Sequence, residues 1–227
     1  MTAALIYLPD SLEVLHLSSA DPVMAGLIER VGPLRQPLET DHFESLASAI
    51  VAQQLSDAAA GTIWKRVVAI VGEVRPERVL TTPAEDLRAA GLSRSKVAFI
   101  TDLAERVDDG RLDLAHVACL DDDEVVEALV SVKGIGRWTA EMFLIFALGR
   151  PDVLALDDGA LRSTVGWLYG IDGGADREHV ARIGETWRPH RTAASLYLWR
   201  GLALRRAEEK AARLRGTRVA TQGTSCQ

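Results

Sequence analysis

The sequence is poor in several residue types, and each scarcity argues against a class of protein. Cysteine occurs only twice in 227 residues, at Cys119 and Cys226, which argues against a disulfide-stabilised secreted domain and indicates reduced thiols in an intracellular protein. No apolar run approaches the roughly 18 residues that a membrane-spanning helix needs. The apolar stretch over residues 3–8 is too short for a signal-peptide core and lacks a basic flank.

Histidine and positive charge are limited as well. The five histidines show no spacing typical of metal ligands, so no transition-metal site is expected. The formal net charge of −6 argues against a protein that coats nucleic acid unselectively, although cations clustered on one face would still bind phosphate. One basic cluster near the C-terminus is more simply explained as a solvated helix face, because Glu208 and Glu209 interrupt it. Its members are Arg200, Arg205, Arg206, Lys210, Arg213 and Arg215.

What the chain does have is helical patterning over almost its whole length. Apolar residues make up 48% of the sequence, enough for a substantial core in one or two closely packed domains. Strand signals are weak and confined to the first 17 residues, so the sequence predicts an all-α fold. Residues 34–40 look like a linker. We expect helices over residues 22–31, from 42 onward, through Val71 after a cap at Asp57, 83–91, 94–107, on both sides of the glycines at 134–136, and over 158–169, 176–187 and 191–214.

The most informative segment covers residues 130–140 and reads Val-Ser-Val-Lys-Gly-Ile-Gly-Arg-Trp-Thr-Ala. Acidic residues at 121–124 begin a helix upstream, and an apolar stripe from Trp138 marks a second helix downstream. Gly134 and Gly136 give the backbone the freedom that a sharp reversal between the two helices needs. Unpaired N–H groups at the start of the second helix would bind a phosphate. The glycines alone are equally consistent with an ordinary helix–helix turn.

This segment and an aspartate pair downstream resemble the helix-hairpin-helix DNA glycosylase superfamily. The superfamily's hairpin pattern is matched at Gly134, Gly136, Thr139 and Ala140. Trp138, followed by Asp157-Asp158 with Asp158 twenty residues later, is similar to the 3-methyladenine DNA glycosylase II branch, here in a compact form. Lys133 departs from the pattern, since the superfamily usually has proline at that position.

The resemblance implies an all-α architecture of two packed helical subdomains with a helix-hairpin-helix motif and an active-site cleft between them. We expect residues 1–40 to form an N-terminal segment that joins the helical fold. Residues 41–215 are expected to form the glycosylase core, with the chain ends packed together as one subdomain. Residues 216–227 are polar and are expected to form a disordered tail.

The implied activity is that of an enzyme that flips alkylated bases out of duplex DNA and hydrolyses the N-glycosidic bond in base-excision repair. Asp158 is the expected catalytic residue, because a carboxylate near C1′ stabilises the oxocarbenium-like sugar or positions the attacking water. Asp157 is expected to cap the helix that begins there; without the hairpin, both aspartates would be interpreted as caps. Trp138 stands where bifunctional relatives have a nucleophilic lysine, so a monofunctional enzyme without lyase activity is expected.

The resemblance also implies a pocket for the flipped base. Its expected members are Trp138, Trp199, Met142, Gly159 and Ala160. An indole ring stacks on an electron-poor alkylated base, although Trp199 lies in a very apolar helix and core packing is an alternative for it. The flexible Met142 and the small Gly159 and Ala160 predict a roomy pocket and a broad range of alkylated bases, with 3-methyladenine among them.

Three kinds of contact with DNA are expected from the same resemblance. The segment Ile-Val-Ala-Gln-Gln-Leu-Ser over residues 50–56 resembles the superfamily's Ile-Leu-x-Gln-Gln-x-Ser segment, in which the second of the paired positions enters the duplex, so the resemblance implies that Gln54 intercalates. Its place on an apolar helix stripe is a small additional hint, and helix C-capping is the alternative. The expected phosphate contacts are Lys133, Gly134, Gly136, Arg137, Arg94 and Lys96. The backbone carbonyls of Val130, Val132 and Ile135 match positions that hold a monovalent cation in relatives.

The expected partner is double-stranded DNA containing alkylated bases, bound in the cytoplasm by a monomer that has no association with membranes. Apart from the hairpin cation, no cofactor is expected, and two cysteines cannot build the four-cysteine iron–sulfur cluster of some relatives. Two alternatives stay open at this point. One is a non-catalytic helix-hairpin-helix DNA-binding protein, and the other is a glycosylase for mismatched or oxidised bases.

Overall fold

Helices account for most of the computed structural model, which describes residues 3–222 and all of their side chains except those of Asp57 and residues 214–222. Two short strands, β1 (Ala4–Tyr7) and β2 (Leu34–Pro37), pair into a small sheet. The helices are α1 (Leu12–Ala20), α2 (Pro22–Val31), α3 (His42–Ala52), α4 (Asp57–Val71), α5 (Pro76–Thr81), α6 (Ala84–Ala89), α7 (Arg94–Asp108), α8 (Leu114–Val117), α9 (Asp122–Val130), α10 (Arg137–Phe146), α11 (Gly159–Leu168), α12 (Arg177–Gly184) and α13 (Arg191–Gln222), and a 3₁₀ turn (Glu185–Trp187) follows α12. Within the described residues, no helix combines the length and the apolarity needed to cross a bilayer.

Contacts between residues divide the described chain into two compact units. Unit 1 contains residues 3–5 and 36–150, and unit 2 contains residues 6–35 and 151–222. Unit 1 therefore holds α3 to α10, whereas unit 2 holds α1, α2 and α11 to α13. The boundary between the units passes through both strands of the sheet.

Helices of unit 1 begin at side chains that cap their free N–H groups. Asp41 accepts the N–H of Glu44 at 2.9 Å at the start of α3, and Ser93 caps α7 in the same way. Asp121 and Glu124 exchange reciprocal bonds at the start of α9, forming a capping box. The core of the unit consists largely of valine, leucine and isoleucine side chains, and its largest fully buried ones are Leu46, Ile50, Leu87, Ile100, Leu103, Leu129 and Leu144.

Unit 2 is organised around the buried carboxylate of Asp21, which is 7% exposed. Its Oδ1 caps α2 by accepting the N–H groups of Val23 and Met24 at 2.9 and 3.1 Å. Its Oδ2 accepts the hydroxyl of Tyr169 at 2.5 Å and the indole N–H of Trp187 at 2.9 Å. Burial and the nearby carboxylate raise the pKa of Tyr169, so its phenol stays protonated and remains a donor. One carboxylate thus joins α2 to the end of α11 and to the 3₁₀ turn.

The all-α prediction is confirmed, but several short elements were not predicted. The structure adds α1, α5 and α8 and places β2 where the sequence indicates a linker. Elements of four to six residues span little more than one helical turn, so their apolar residues show no usable periodicity. The longer α1 buries Val14 and Leu17 but exposes Leu12 and Leu15, and therefore lacks a one-sided apolar stripe.

Two helix boundaries also differ from the prediction. Ser56 is the N-cap of α4, and its hydroxyl accepts the N–H of Ala59 at 3.4 Å. The backbone of α13 is helical to Gln222, whereas the sequence predicts an end near Leu214 and a tail from residue 216. An established helix gains one hydrogen bond for each residue added, so a single glycine at position 216 does not end it. Residues 223–227 of the predicted tail, which include the second cysteine, lie outside the described residues.

Replacing Asp21 with asparagine is expected to destabilise the protein. The amide oxygen can still cap α2, but the amide NH₂ would face two donors, the Tyr169 hydroxyl and the Trp187 indole. We expect the free energy of unfolding to fall by about 2 kcal/mol, as measured by urea denaturation. The exposed Asp10 provides the control variant, Asp10→Asn. Equal stability of the two variants would contradict the role assigned to Asp21.

Candidate functional site

The segment between α9 and α10 forms the sharp turn that the sequence predicts. α9 ends at Val130 and α10 begins at Arg137, with Gly136 as its N-cap. Inside the turn, the N–H of Ile135 donates to the carbonyl of Val132 at 3.1 Å. Because glycine has no side chain that could cap a helix, the first N–H groups of α10 are left for an external anion at the positive end of the helix.

Gly134 occupies a position in this turn that only glycine fits. Its φ of +84° lies in the left-handed region. A β-carbon added there would lie 2.2 Å from Cδ2 of Phe99, a side chain of α7. Phe99 therefore packs directly against the backbone of the turn. The sequence indicates the glycine but gives no signal for Phe99, because that contact exists only in the folded unit.

Asp102 of α7 also holds the turn. Its carboxylate, 7% exposed, accepts the backbone N–H of Lys133 at 3.0 Å and Nε of Arg106 at 2.8 Å. Burial alone would raise the pKa of Asp102, but the hydrogen bonds from Lys133 and Arg106 bring it below its usual value. The group is thus ionised and fixes the backbone ahead of Gly134. Asp102 was not among the residues predicted from the sequence, although an acidic residue among the apolar positions of a helix is a usable signal.

Three of the predicted phosphate-binding cations remain predictions. The Lys133 side chain is 70% exposed, and its ammonium lies 3.3 Å from Asp102. Arg137 donates to Glu141 at 3.1 Å while most of its side chain stays exposed. Arg94 is exposed in the first turn of α7. Ion pairing of Lys133 and Arg137 within the protein means that a phosphate would compete with a carboxylate for each of them.

Lys96 is bonded differently from these three cations. Its ammonium donates to the carbonyl oxygens of Val51 and Gln53, both at 2.7 Å, at the C-terminal end of α3. Burial lowers the pKa of Lys96. Carbonyl groups at a helix end lack intrahelical donors, and the ammonium supplies them. Two of the three N–H donors of the ammonium are thus bonded inside the protein, which favours an internal role for Lys96, and its contact with phosphate stays a prediction.

The paired glutamines after α3 have separate roles. The sequence suggested two positions for Gln54, on the apolar stripe of the helix or at its C-cap. Both are wrong, because α3 ends at Ala52 and Gln54 lies beyond the C-cap residue. Gln54 is exposed in the following loop with a φ of +60°. Gln53 is the C-cap residue, and its amide donates to the carbonyl of Gly134 at 2.8 Å. Intercalation by Gln54 stays a prediction, and the link from Gln53 to the hairpin was missed because adjacent glutamines look alike in sequence.

Unit 2 holds the predicted catalytic aspartate. Asp158 is 8% exposed and immediately precedes α11. Its Oδ1 accepts the backbone N–H of Leu161 at 2.7 Å and the indole N–H of Trp199, on α13, at 3.1 Å. The first bond makes Asp158 the N-cap of α11, and the second places the half-buried Trp199 beside the carboxylate. Together they fix the direction in which the carboxylate points.

The prediction that Asp157 caps α11 is wrong. Asp157 is exposed, and its two carboxylate oxygens accept hydrogen bonds from Nη1 of Arg177 at 2.9 and 2.8 Å. The capping bond belongs to Asp158. Two adjacent aspartates offer a helix the same chemistry, and only the backbone direction before Gly159 decides which side chain turns back to the free N–H groups.

The predicted base-pocket residues have room around them in each unit. In unit 1, Trp138 is 42% exposed, and Met142 lines a cavity of about 400 Å³ formed by α3 and α10. In unit 2, Gly159 and Ala160 form the first turn of α11. A β-carbon added at Gly159 would meet no atom of other parts of the chain within 4 Å, so the space beside this glycine is open.

A predicted cation would be held by backbone carbonyls of the hairpin, those of Val130, Val132 and Ile135. The Val132 carbonyl already accepts the N–H of Ile135. A carbonyl oxygen has a second lone pair, so the group is still chemically able to coordinate a monovalent cation. Side-chain metal sites are a separate matter: in the described part of the chain, no cluster of three or more histidine, cysteine, aspartate or glutamate side chains could hold a metal ion.

A comparison with protein families separates the hairpin from an ordinary helix–helix turn. Residues 47–189 match the HhH-GPD superfamily of base excision DNA repair proteins. The chain belongs to this superfamily. The matched range includes Gln53, the HhH-GPD hairpin and Asp158, whereas Trp199 lies beyond its end.

Individual HhH-GPD relatives are similar over most of their length. An alkylbase DNA glycosidase-like protein of Schizosaccharomyces pombe is 31% identical over 191 residues, which cover 81% of this chain and 90% of the relative. The crystal structure of a DNA-3-methyladenine glycosidase from Bacillus halodurans has a TM-score of 0.79 at 39% identity, covering 87% of this chain and 92% of that one. A structure of the S. pombe 3-methyladenine DNA glycosylase with abasic DNA has a TM-score of 0.78 at 33% identity, covering 83% and 95%. Membership of the 3-methyladenine glycosylase branch is confirmed.

Gly134→Ala is expected to disrupt the HhH-GPD hairpin. A β-carbon would add left-handed backbone strain and a collision with Phe99, together about 3 kcal/mol of lost stability. Gly136→Ala is the matched control, because its φ of −95° is ordinary and its β-carbon would meet no atom within 4 Å. Urea denaturation of both variants is the measurement. Similar losses for the two would show that Phe99 does not constrain the turn.

Proposed function

We propose that this HhH-GPD protein is a monofunctional DNA glycosylase that flips alkylated bases of the 3-methyladenine type out of duplex DNA and hydrolyses their N-glycosidic bond in base-excision repair. The observation that carries the proposal is the buried Asp158 carboxylate, oriented by Leu161 and Trp199, in a chain of this superfamily. A protein that only binds the DNA backbone needs no such carboxylate.

Asp158 supplies the negative charge that the reaction requires. As the base leaves, the deoxyribose becomes oxocarbenium-like, and a carboxylate near C1′ stabilises charge that exists only in the transition state. The same group can orient or deprotonate the attacking water. Because two N–H donors already hold Oδ1, the carboxylate needs little reorganisation when the sugar becomes charged.

The indole rings provide the surface on which the flipped base stacks. An alkylated purine is cationic or electron-poor and is attracted to an electron-rich ring. Trp199 lies beside the catalytic carboxylate because its Nε1 donates to Asp158. Trp138 has no amine that could attack C1′, so it forms no Schiff base. This supports hydrolysis that leaves an intact abasic site.

The hairpin supplies the contact with the DNA backbone. The N–H groups at the start of α10 are suited to one phosphate, and Phe99 and Asp102 hold the turn that presents them. The complex of the S. pombe relative with abasic DNA supports duplex DNA as the partner. A monovalent cation on the hairpin carbonyls would add positive charge next to that phosphate.

Asp158→Asn tests the chemistry directly. Asparagine still caps α11 and still accepts the Trp199 N–H, so folding and DNA binding are expected to survive. Single-turnover release of 3-methyladenine from methylated DNA is expected to fall by at least about a hundredfold, because the charge near C1′ is lost. Full activity of this variant would mean that the protein does not use Asp158 for base excision.

The matched control for this variant is Asp157→Asn. It removes an exposed ion pair with Arg177, which contributes less than about 1 kcal/mol, so both stability and excision should stay close to wild type. A well-folded Asp157→Asn protein without activity, beside an active Asp158→Asn protein, would show that the two roles are exchanged.

A broad range of alkylated bases is the second part of the proposal. In unit 2, the small Gly159 and Ala160 begin the helix that Asp158 caps, and the space beside Gly159 is open, so this unit does little to select a base by shape. In unit 1, the flexible Met142 can adapt to bases of several shapes. Selectivity then depends mainly on how readily a lesion leaves its pair and the sugar. Single-turnover rates on several alkylated purines and pyrimidines in one duplex context are expected to exceed background for lesions of both kinds. Excision of a single purine lesion alone would contradict this.

A further inference from the structure

Lys96 makes contacts that neither catalysis nor phosphate binding requires. The side chain starts in the first turn of α7 and ends at the last residues of α3, where its ammonium donates to Val51 and Gln53, both at 2.7 Å. Its burial is intermediate, and its pKa is lowered by that burial. A partly buried ammonium with two carbonyl acceptors restrains the backbone segment that carries those carbonyls.

The carbonyls belong to the start of the loop that carries Gln54. Gln54 has a φ of +60° and is, among the described residues, the only one other than glycine with a positive φ. This conformation is strained for a residue that carries a side chain, so it persists only where the surroundings impose it. Lys96 imposes it from one side by holding the carbonyl of Gln53, the residue directly before Gln54.

Gln53 connects the same loop to the hairpin. Its Nε2 donates to the carbonyl of Gly134 at 2.8 Å and lies 3.5 Å from Oγ1 of Thr139, in the first turn of α10. The backbone of Gln53 is thus held by Lys96 and its side chain by the turn. The loop and the hairpin are therefore connected through a single residue within unit 1.

We propose that Lys96 and Gln53 are positioning residues that hold Gln54 in the conformation in which it enters DNA and tie it to the phosphate-binding hairpin. This inference rests on the proposed glycosylase function and on the predicted intercalation by Gln54. It assigns Lys96 an effect on base flipping, transmitted through the loop, and no direct contact with DNA. Docking of the hairpin on a phosphate then sets the place at which Gln54 meets the base stack.

The test compares Lys96→Met, which keeps a long side chain without the ammonium, with Lys96→Arg, which keeps donors. Lys65→Met is the charge-matched control, because Lys65 is exposed on α4. Three readouts are needed: hydrogen exchange of residues 50–56 in the free protein, base flipping followed by 2-aminopurine fluorescence next to a lesion, and the salt dependence of binding to undamaged duplex.

Lys96→Met is expected to exchange faster over residues 53–56 and to lose flipping amplitude. Its single-turnover excision rate should fall about tenfold to a hundredfold, as misplacement of an aligned group does. Its affinity for undamaged duplex and its salt slope should match those of Lys65→Met. Lys96→Arg keeps hydrogen-bond donors, so it should recover part of the exchange protection and part of the flipping signal. If Lys96 only stabilised the fold, the flipping signal would not recover together with the protection of the loop.

Two outcomes would overturn the proposal. A salt slope flatter by about one than that of Lys65→Met, with equal weakening on damaged and undamaged duplex, would make Lys96 a phosphate contact after all. Unchanged exchange and unchanged flipping would remove it from the loop. If Lys96→Met does not fold, Gln53→Met is measured instead, and faster exchange at both residues 53–56 and 131–136 is expected; unchanged exchange at the hairpin would refute the link.

The wild-type protein separates this proposal from the proposed function. Failure of the wild type to release any alkylated base would refute the glycosylase activity. Hydrogen exchange in the free protein needs no activity, so it still decides whether Lys96 holds the loop. An active wild type with an unaffected Lys96→Met variant would refute only the positioning role.

Discussion

A carboxylate that leaves water has to receive hydrogen bonds from the protein, and both units are organised by this requirement. Asp102 in unit 1 accepts a hydrogen bond from the hairpin backbone at Lys133, 31 residues further along the chain. In unit 2, Asp21 accepts a hydrogen bond from the indole of Trp187, 166 residues away, and Asp158 accepts one from the indole of Trp199, 41 residues away. Each bond brings distant segments together and satisfies an oxygen of a buried carboxylate, so folding and the preparation of the site depend on the same contacts.

The hairpin illustrates how a binding site can consist of backbone while its precision comes from buried side chains. The anion-binding N–H groups of α10 carry no side-chain cap, and glycine gives them access. Their direction is set from behind by Phe99 and Asp102, both on α7. A substitution at Phe99 or Asp102 should therefore displace these N–H groups, although both residues lie outside the turn itself.

The sequence was sufficient for the parts of the site that have a local signature. Two glycines around a turn, and an aspartate at a fixed distance from Trp138, identify the hairpin and Asp158 because spacing along the chain encodes them. The capping choice between Asp157 and Asp158 was not predictable, since it depends on a backbone direction that both residues share. The direction of the Lys96 ammonium was not predictable either, because a lysine in a first helical turn is usually solvated and its partners on α3 precede it by more than forty residues.

The backbone of Lys133 limits which residues the hairpin can carry at this position. Its backbone N–H is one of the donors that keep the buried Asp102 ionised, and proline, which the superfamily usually has at this position, possesses no N–H to donate. A mutation to proline in this chain would leave Asp102 short of a donor inside the protein, and a neutral side chain at 102 would remove the need for that donor. The two positions are therefore coupled in this chain: proline at 133 together with a neutral side chain at 102 should destabilise the protein less than proline at 133 beside the retained aspartate.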